Sequence, residues 1–245
     1  MNISPAQWDG LADLYLEATS GSFLPGIVHN LNNFGHVMDL QLELLQTKLP
    51  QIQSGRFGDL DTRFQRIATA SKDLLMVMET VGNRFFFTQK ERVHINIEQY
   101  FDWLMSFWKN NLFFKHKIDL HFLLDQNCPN LNAVPFVLTL CIEEGLKNGI
   151  EACQEYSTEN ATLDIVVRPD KDALRIGLTT PGSLKLDDDP FAPGTTTKPG
   201  RLGLGLSIAA HFAKKVHWDV TLDSHGSETV YTLRIPDCNT VVPTL

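Results

Sequence analysis

The sequence predicts an α+β protein in two parts, a helical hairpin followed by a sandwich of helices over a largely antiparallel sheet. Apolar residues keep heptad spacing through two long segments before residue 87. The texture then changes near residues 88–92, and short strands begin to alternate with amphipathic helices. At 245 residues the chain can bury such a core without disulfides or structural metals.

Residues 1–20 read as one extra amphipathic helix whose role the pattern does not disclose. From there Leu24, Val28, Leu31, Gly35, Met38, Leu42, Leu45 and Leu49 alternate steps of four and three, and all but Gly35 are apolar. This is a helix of about seven turns, with Pro25 near its start and "LPQIQSGRFGD" to end it. The spacing resumes at Leu60, Phe64, Ile67, Ser71, Leu74, Met78, Val81 and Phe85. Residues 21–90 are therefore expected to form an antiparallel hairpin. Its uncovered apolar surface is satisfied either by a second copy, giving a homodimeric four-helix bundle, or by the rest of the same chain.

Residues 91–240 form the second unit. "VHINIEQ" reads as a short strand, "EQYFDWLMSFWKNN" as a helix, "KIDLHFLL" as a strand, and "NAVPFVLTLCIEEGLKNGIEACQEY" as a long helix. Strands "ATLDIVVRP" and "DALRIGLTT" follow, then a loop rich in Gly, Pro, Asp and Thr, the helix "GLSIAAHFAKKV", and strands "WDVTLDS" and "ETVYTLRIP".

A net charge of −8 argues against a nucleic-acid partner, which needs a basic face. Cys128, Cys141, Cys153 and Cys238 form no C-x-x-C pair, so a reducing setting without zinc is expected. No window approaches the roughly 20 apolar residues that span a bilayer, so no membrane contact and a cytoplasmic location are expected.

Chemistry concentrates in three places. In "DPFAPGTTTKPGRLGLGLSIA", Gly200, Gly203 and Gly205 precede a helix, where backbone N–H groups can approach an anion. Thr195, Thr196, Thr197 and Lys198 add hydroxyl and ammonium donors, a set suited to a triphosphate. Glu144 and Asn148, four apart on one helix face, offer oxygens to a hydrated magnesium ion, or else form a solvated stripe. His29 stands one residue past the seam position Val28, beside the bundle core and in water. His36 is about 10 Å further along the helix axis, and asparagine is a poor transition-metal ligand, so a metal site at His29 is not expected.

The order of these strings resembles sensor histidine kinases. The run from Val93 to Pro236 looks like their Bergerat-type ATP-binding domain, shared more widely with gyrase and the mismatch-repair ATPases. Asn148 in "EEGLKNGIEA" matches the asparagine box, Phe191–Lys198 "FAPGTTTK" a segment like F-E-P-F-F-T-T-K, and Gly203–Ile208 "GLGLSI" the glycine box. Residues 23–87 resemble the dimerisation and phosphoacceptor hairpin, with His29-Asn30-Leu31-Asn32-Asn33 in place of H-E-L-N-N or H-D-x-N-N. The resemblance implies a homodimer that binds ATP and Mg2+, autophosphorylates His29 and passes the phosphoryl group to a response-regulator receiver aspartate. Glu144 and Asn148 would hold the metal, and Thr180, Gly182, Thr196, Thr197, Lys198, Gly203 and Gly205 the nucleotide.

Two departures qualify it. Asn30 replaces the acid that usually follows the histidine; an amide can orient the imidazole but cannot act as a base. Asn33 matches the position that in many members positions water for dephosphorylating the partner. In "TTPGSL", Gly182 of the first glycine box survives, while Thr180 stands where an aspartate should accept the adenine amino group. A neutral hydroxyl makes roughly half as strong a bond as a carboxylate there. The stretch to Phe191 is short, implying a reduced lid, with Asp187, Asp188 and Asp189 read as a solvated turn. The alternatives to a kinase are a histidine phosphotransferase or pseudokinase of the same fold and a noncatalytic dimeric scaffold.

Overall fold

A computed structural model describes residues 3–53, 60–156, 161–183, 189–198 and 200–236. Residues 54–59, where the turn of the hairpin is expected, and Asp187 and Asp188 lie outside the described residues. Three helices open the chain: α1 (Pro5–Ser22), α2 (Leu24–Gln53) and α3 (Leu60–Phe87). A capping box between Ser4 and Gln7 starts α1. Only Phe23 separates α1 from α2, and its backbone remains near-helical, at φ −89° and ψ −14°. Pro25 has no N–H to offer Gly21, which contributes to the break between the two helices.

The seam divides between two surfaces. Leu31, Gly35, Met38 and Leu45 of α2, and Ile67, Ser71, Leu74 and Val81 of α3, are buried or half-buried. Leu24, Val28, Leu42, Phe64, Met78 and Phe85 stay exposed, Phe85 at 82%. A single copy of the hairpin therefore leaves part of its heptad surface uncovered.

The remaining elements are β1 (Val93–Ile95), α4 (Ile97–Trp108), α5 (Leu112–Lys117), β2 (Ile118–Leu124), β3 (Leu131–Ala133) and α6 (Pro135–Tyr156), then β4 (Ala161–Asp170), β5 (Ala173–Pro181), α7 (Gly205–Lys215), β6 (Asp219–His225) and β7 (Glu228–Pro236). The main sheet runs β2-β4-β5-β7-β6; β2 and β4 are parallel, and every other pair is antiparallel. β1 and β3 make a separate two-stranded ribbon. Leu163, Ile165 and Val167 of β4 and Leu174, Ile176 and Leu178 of β5 are fully buried in one core with the apolar sides of α4, α6 and α7. Their period of two orients one sheet face toward the helices.

The first helix belongs to this core. Trp8, Ala12 and Leu16 of α1 are buried in it, and Phe23 packs edge-on against Phe107 and Trp108 at 4.8 and 5.0 Å. Arg84 of α3 forms a bidentate ion pair with Glu143 of α6, at 2.5 and 2.9 Å, and also donates to the Leu16 carbonyl at 3.2 Å. On α2, Asn30 donates to Asn110 Oδ1 at 3.0 Å, and a Cβ at Gly26 would overlap the Asn110 carbonyl.

Candidate functional site

Glycine brings α6 close to the sheet. A Cβ at Gly145 would run into the Tyr231 ring, and one at Gly149 would meet Thr180 Cγ2 at 2.7 Å. This approach presents Glu144, Asn148 and Glu151 along one face, toward the loop that precedes α7. The loop closes where Gly194 N–H donates to Gly203 O at 3.0 Å. Gly203 has φ +63°, and a Cβ there would strike the Thr195 backbone, so only glycine fits. Gly205, the first residue of α7, lies directly on the Glu144 carboxylate.

Between these elements lies a cavity of about 570 Å³. Glu144, Asn148, Thr180, Gly182, Thr196, Thr197, Lys198, Gly203 and Gly205 all line it. Its size is that of a small-molecule site, within about 300–1,000 Å³. His29, Asn30 and Asn33 do not line it.

Several of the cavity's charged groups already have partners. Lys198 Nζ lies 2.5 Å from Glu151 Oε2 and donates to Asn148 Oδ1 at 3.4 Å, while Arg201 pairs with Glu151 Oε1 at 2.6 Å. Asn148 Nδ2 donates to Glu144 Oε1 at 2.5 Å. The Tyr15 hydroxyl of α1 donates to Glu144 Oε2, and Lys147 Nζ sits 4.5 Å above the Tyr15 ring. Burial raises the Glu144 carboxyl above the ordinary range, opposed by the Tyr15 hydrogen bond. Burial and the neighbouring Glu144 charge raise the Tyr15 phenol.

Thr180 is buried, and its hydroxyl donates to the Thr229 carbonyl at 3.4 Å. Gly182, at φ +99°, donates to Ser227 O at 2.8 Å, with the Tyr156 ring where a side chain would stand. At the hairpin, His29 is exposed and its Nε2 lies 3.1 Å from Asn33 Nδ2. With the amide donating, Nε2 carries the lone pair and the proton sits on Nδ1. Asn30 turns the other way: it is buried against Asn110, with Lys115 Nζ donating to its Oδ1 at 3.4 Å. The amide expected to orient His29 is thus committed to the other part of the molecule, and the contact to the imidazole comes from Asn33.

Sequence reasoning missed Tyr15, Glu151 and Arg201. Glu151 was within reach, lying three residues after Asn148 and so on the same helical face. Tyr15 and Arg201 had no such signal, since their partners are far away in sequence. Among the described residues, no group of three His, Cys, Asp or Glu side chains is placed to hold a metal ion. The oxygens of Glu144 and Asn148 suit magnesium, which keeps several of its waters. The cavity and its glycine-bordered cradle suit a nucleotide.

This helix–sheet sandwich with a helical hairpin before it is the fold of histidine-kinase cores. The chain matches the catalytic domain of histidine kinase ThkA at 20% identity and a TM-score of 0.52, over 60% of this chain and 96% of that one. ThkA solved in complex with response regulator protein TrrA matches at 16% identity and a TM-score of 0.50, over 93% of this chain and 67% of that one. Full-length ShkA in complex with AMPPNP matches at 14% and 0.53; the alignment spans 99% of this chain but 48% of ShkA. No family model matches the sequence, and no curated protein matches it. Among the described residues, no helix is long and apolar enough to cross a membrane.

Proposed function

We propose that the chain is the homodimeric core of a two-component histidine kinase, which phosphorylates His29 from MgATP and passes the phosphoryl group to a receiver-domain aspartate. The observation that carries this reading is the convergence of Glu144, Asn148, Lys198, the threonine cluster and the Gly203–Gly205 turn on one cavity within a histidine-kinase fold. The neighbour ThkA, solved with a response regulator, supports the choice of partner.

Bound MgATP would supply the transferable γ-phosphoryl group, with the metal shielding its charge. Lys198 would leave Glu151 for the phosphates, backed by the Thr196 and Thr197 hydroxyls and the amides of the glycine turn. Asn148 and Glu144 would hold the metal. His29 Nε2 would attack phosphorus as its bond to the ADP oxygen breaks, and the excess ring proton would leave to water. Asn33 Nδ2, 3.1 Å from Nε2, must release it for attack. Asn30, being an amide, takes no proton, which predicts slow turnover. Because His29 is outside the cavity lining, transfer requires the hairpin and the cavity to be brought together, within a chain or across the dimer.

A phosphotransferase or pseudokinase reading is favoured by one observation: Thr180, at the adenine end, spends its hydroxyl proton on Thr229 and offers no charge. Calorimetric titration of the full chain with MgATP separates the two. Saturable binding that is lost in Lys198→Ala supports the kinase; absence of binding at millimolar nucleotide, with phosphoryl exchange between His29 and a phosphorylated receiver domain retained, supports the phosphotransferase.

A further inference from the structure

The first helix makes contacts that nucleotide binding alone does not explain. It enters the core through Trp8, Ala12 and Leu16 and is pinned on both sides. Trp8 stacks on His211 of α7 at 4.5 Å and an interplanar angle of 13°. Asp9 pairs with Lys215 at 3.4 Å, and Asp13 with Lys90 at 2.8 Å. Held there, α1 delivers the Tyr15 hydroxyl to one oxygen of Glu144, while Asn148 takes the other. Leu11 and Leu14 of the same helix face the cavity.

Both carboxylate oxygens are therefore engaged, and Glu144 is 4% exposed. Each oxygen keeps a second lone pair, but a hydrated magnesium ion must also displace or accommodate these donors and find room for its own waters. Tyr15 is both a donor to Glu144 and part of the cavity lining.

We propose that α1 is an intramolecular latch: Tyr15 occupies the metal-facing side of Glu144, and the site becomes competent for magnesium–nucleotide only when α1 lifts. This rests on the reading of Glu144 and Asn148 as the metal end of a nucleotide site. The fold supplies the means of lifting. The single residue Phe23 joins α1 to α2, so changes in its two dihedrals are enough to move α1 relative to α2. The Arg84 contact to the Leu16 carbonyl couples the latch to α3, and through Glu143 to the residue beside Glu144. A displacement of the hairpin therefore pulls on the Tyr15 contact directly. In the closed state the apparent affinity is reduced by the fraction of molecules that are open.

The test is titration of MgADP into the full chain, Tyr15→Phe and Trp8→Ala, with hydrogen exchange of the α1 amides measured with and without nucleotide. Tyr15→Phe keeps the ring and deletes the hydroxyl; Trp8→Ala loosens the helix far from Glu144. Tyr15→Phe is expected to tighten MgADP by about tenfold, the equilibrium worth of one hydrogen bond to a charged group, and Trp8→Ala to tighten it in the same direction. The Tyr15→Phe gain should vanish in EDTA, and α1 amides should exchange faster with MgADP bound. Equal or weaker binding by both variants, or α1 amides slowed by nucleotide, overturns the latch while leaving the nucleotide site standing. Absence of MgADP binding in all three proteins overturns the latch and the nucleotide reading together.

Discussion

Arg84 of α3 and Glu143 of α6, 59 residues apart, form a buried two-pronged ion pair at 2.5 and 2.9 Å. Glu143 is fully buried. Burial raises its carboxyl while the Arg84 charge holds it down, so the pair survives because each member satisfies the other. Removing one partner leaves the other charge buried. Arg84→Ala should cost about 3–5 kcal/mol in denaturant unfolding, whereas a paired Arg84→Met, Glu143→Leu change should recover much of that loss. Equal loss in the single and double variants would show that shape, not charge, governs this contact.

Gly203 excludes a side chain on two counts. Its φ of +63° and its contact with the Thr195 backbone exclude a side chain. Gly203→Ala should open the 194–203 turn, lowering stability by about 1 kcal/mol or more and abolishing nucleotide binding. Gly200→Ala, with φ +76° but open space around the Cβ, should strain the loop while retaining partial binding. Calorimetry on the two variants checks the order.

The base end of the cavity offers a gain-of-function test. Thr180 is neutral, so Thr180→Asp should raise the preference for ATP over GTP by about tenfold, as a charge-assisted acceptor replaces a neutral one. Competition binding with the two nucleotides measures it. An unchanged ratio would place the base elsewhere.

The uncovered heptad face predicts self-association. Phe64, Met78 and Phe85 are 54%, 58% and 82% exposed on α3. The double substitution Met78→Glu, Phe85→Glu should convert a dimer to a monomer in sedimentation equilibrium while preserving the fold by circular dichroism. A wild-type monomer at high micromolar concentration would contradict the four-helix bundle.

Docking of α1 should depend on pH through His211. Burial, then the nearby Lys215 charge, lowers this imidazole below its ordinary 6.5, with Asp9 opposing. A group depressed in the docked state contributes fully above the free value and loses that contribution as pH falls toward the depressed one. Protonation also places a charge beside Lys215, which opposes it. Exchange of α1 amides should therefore quicken, after correction for intrinsic rates, as the pH falls through and below the ordinary imidazole value of 6.5, and His211→Gln should flatten the response.

The long elements were legible because their periods are long. Heptad steps gave α2 and α3, and alternation gave β2, β4, β5, β6 and β7. β3 is three residues and α5 only six, too short for a period to register. The residues that meet in the cavity were readable as a group because they come as local strings, "TTTK" and "GLGLSI", or as a pair four apart on one helix. Residues whose partners are remote were not. Tyr15 reaches Glu144 across 129 positions, and Asn30 reaches Asn110 across 80. Nothing local distinguishes either from a surface residue. The split of the seam between core and exposed faces was likewise hidden, since both surfaces ask for the same apolar residue types.

The most direct test of the central claim is incubation of the full chain, alongside Tyr15→Phe and His29→Ala, with γ-labelled ATP and magnesium, followed by mapping of the label. Acid-labile label is expected on His29, faster in Tyr15→Phe, absent in His29→Ala, and transferable to a receiver domain. Label that persists in His29→Ala, or no label in any of the three proteins while MgATP is bound, would contradict it.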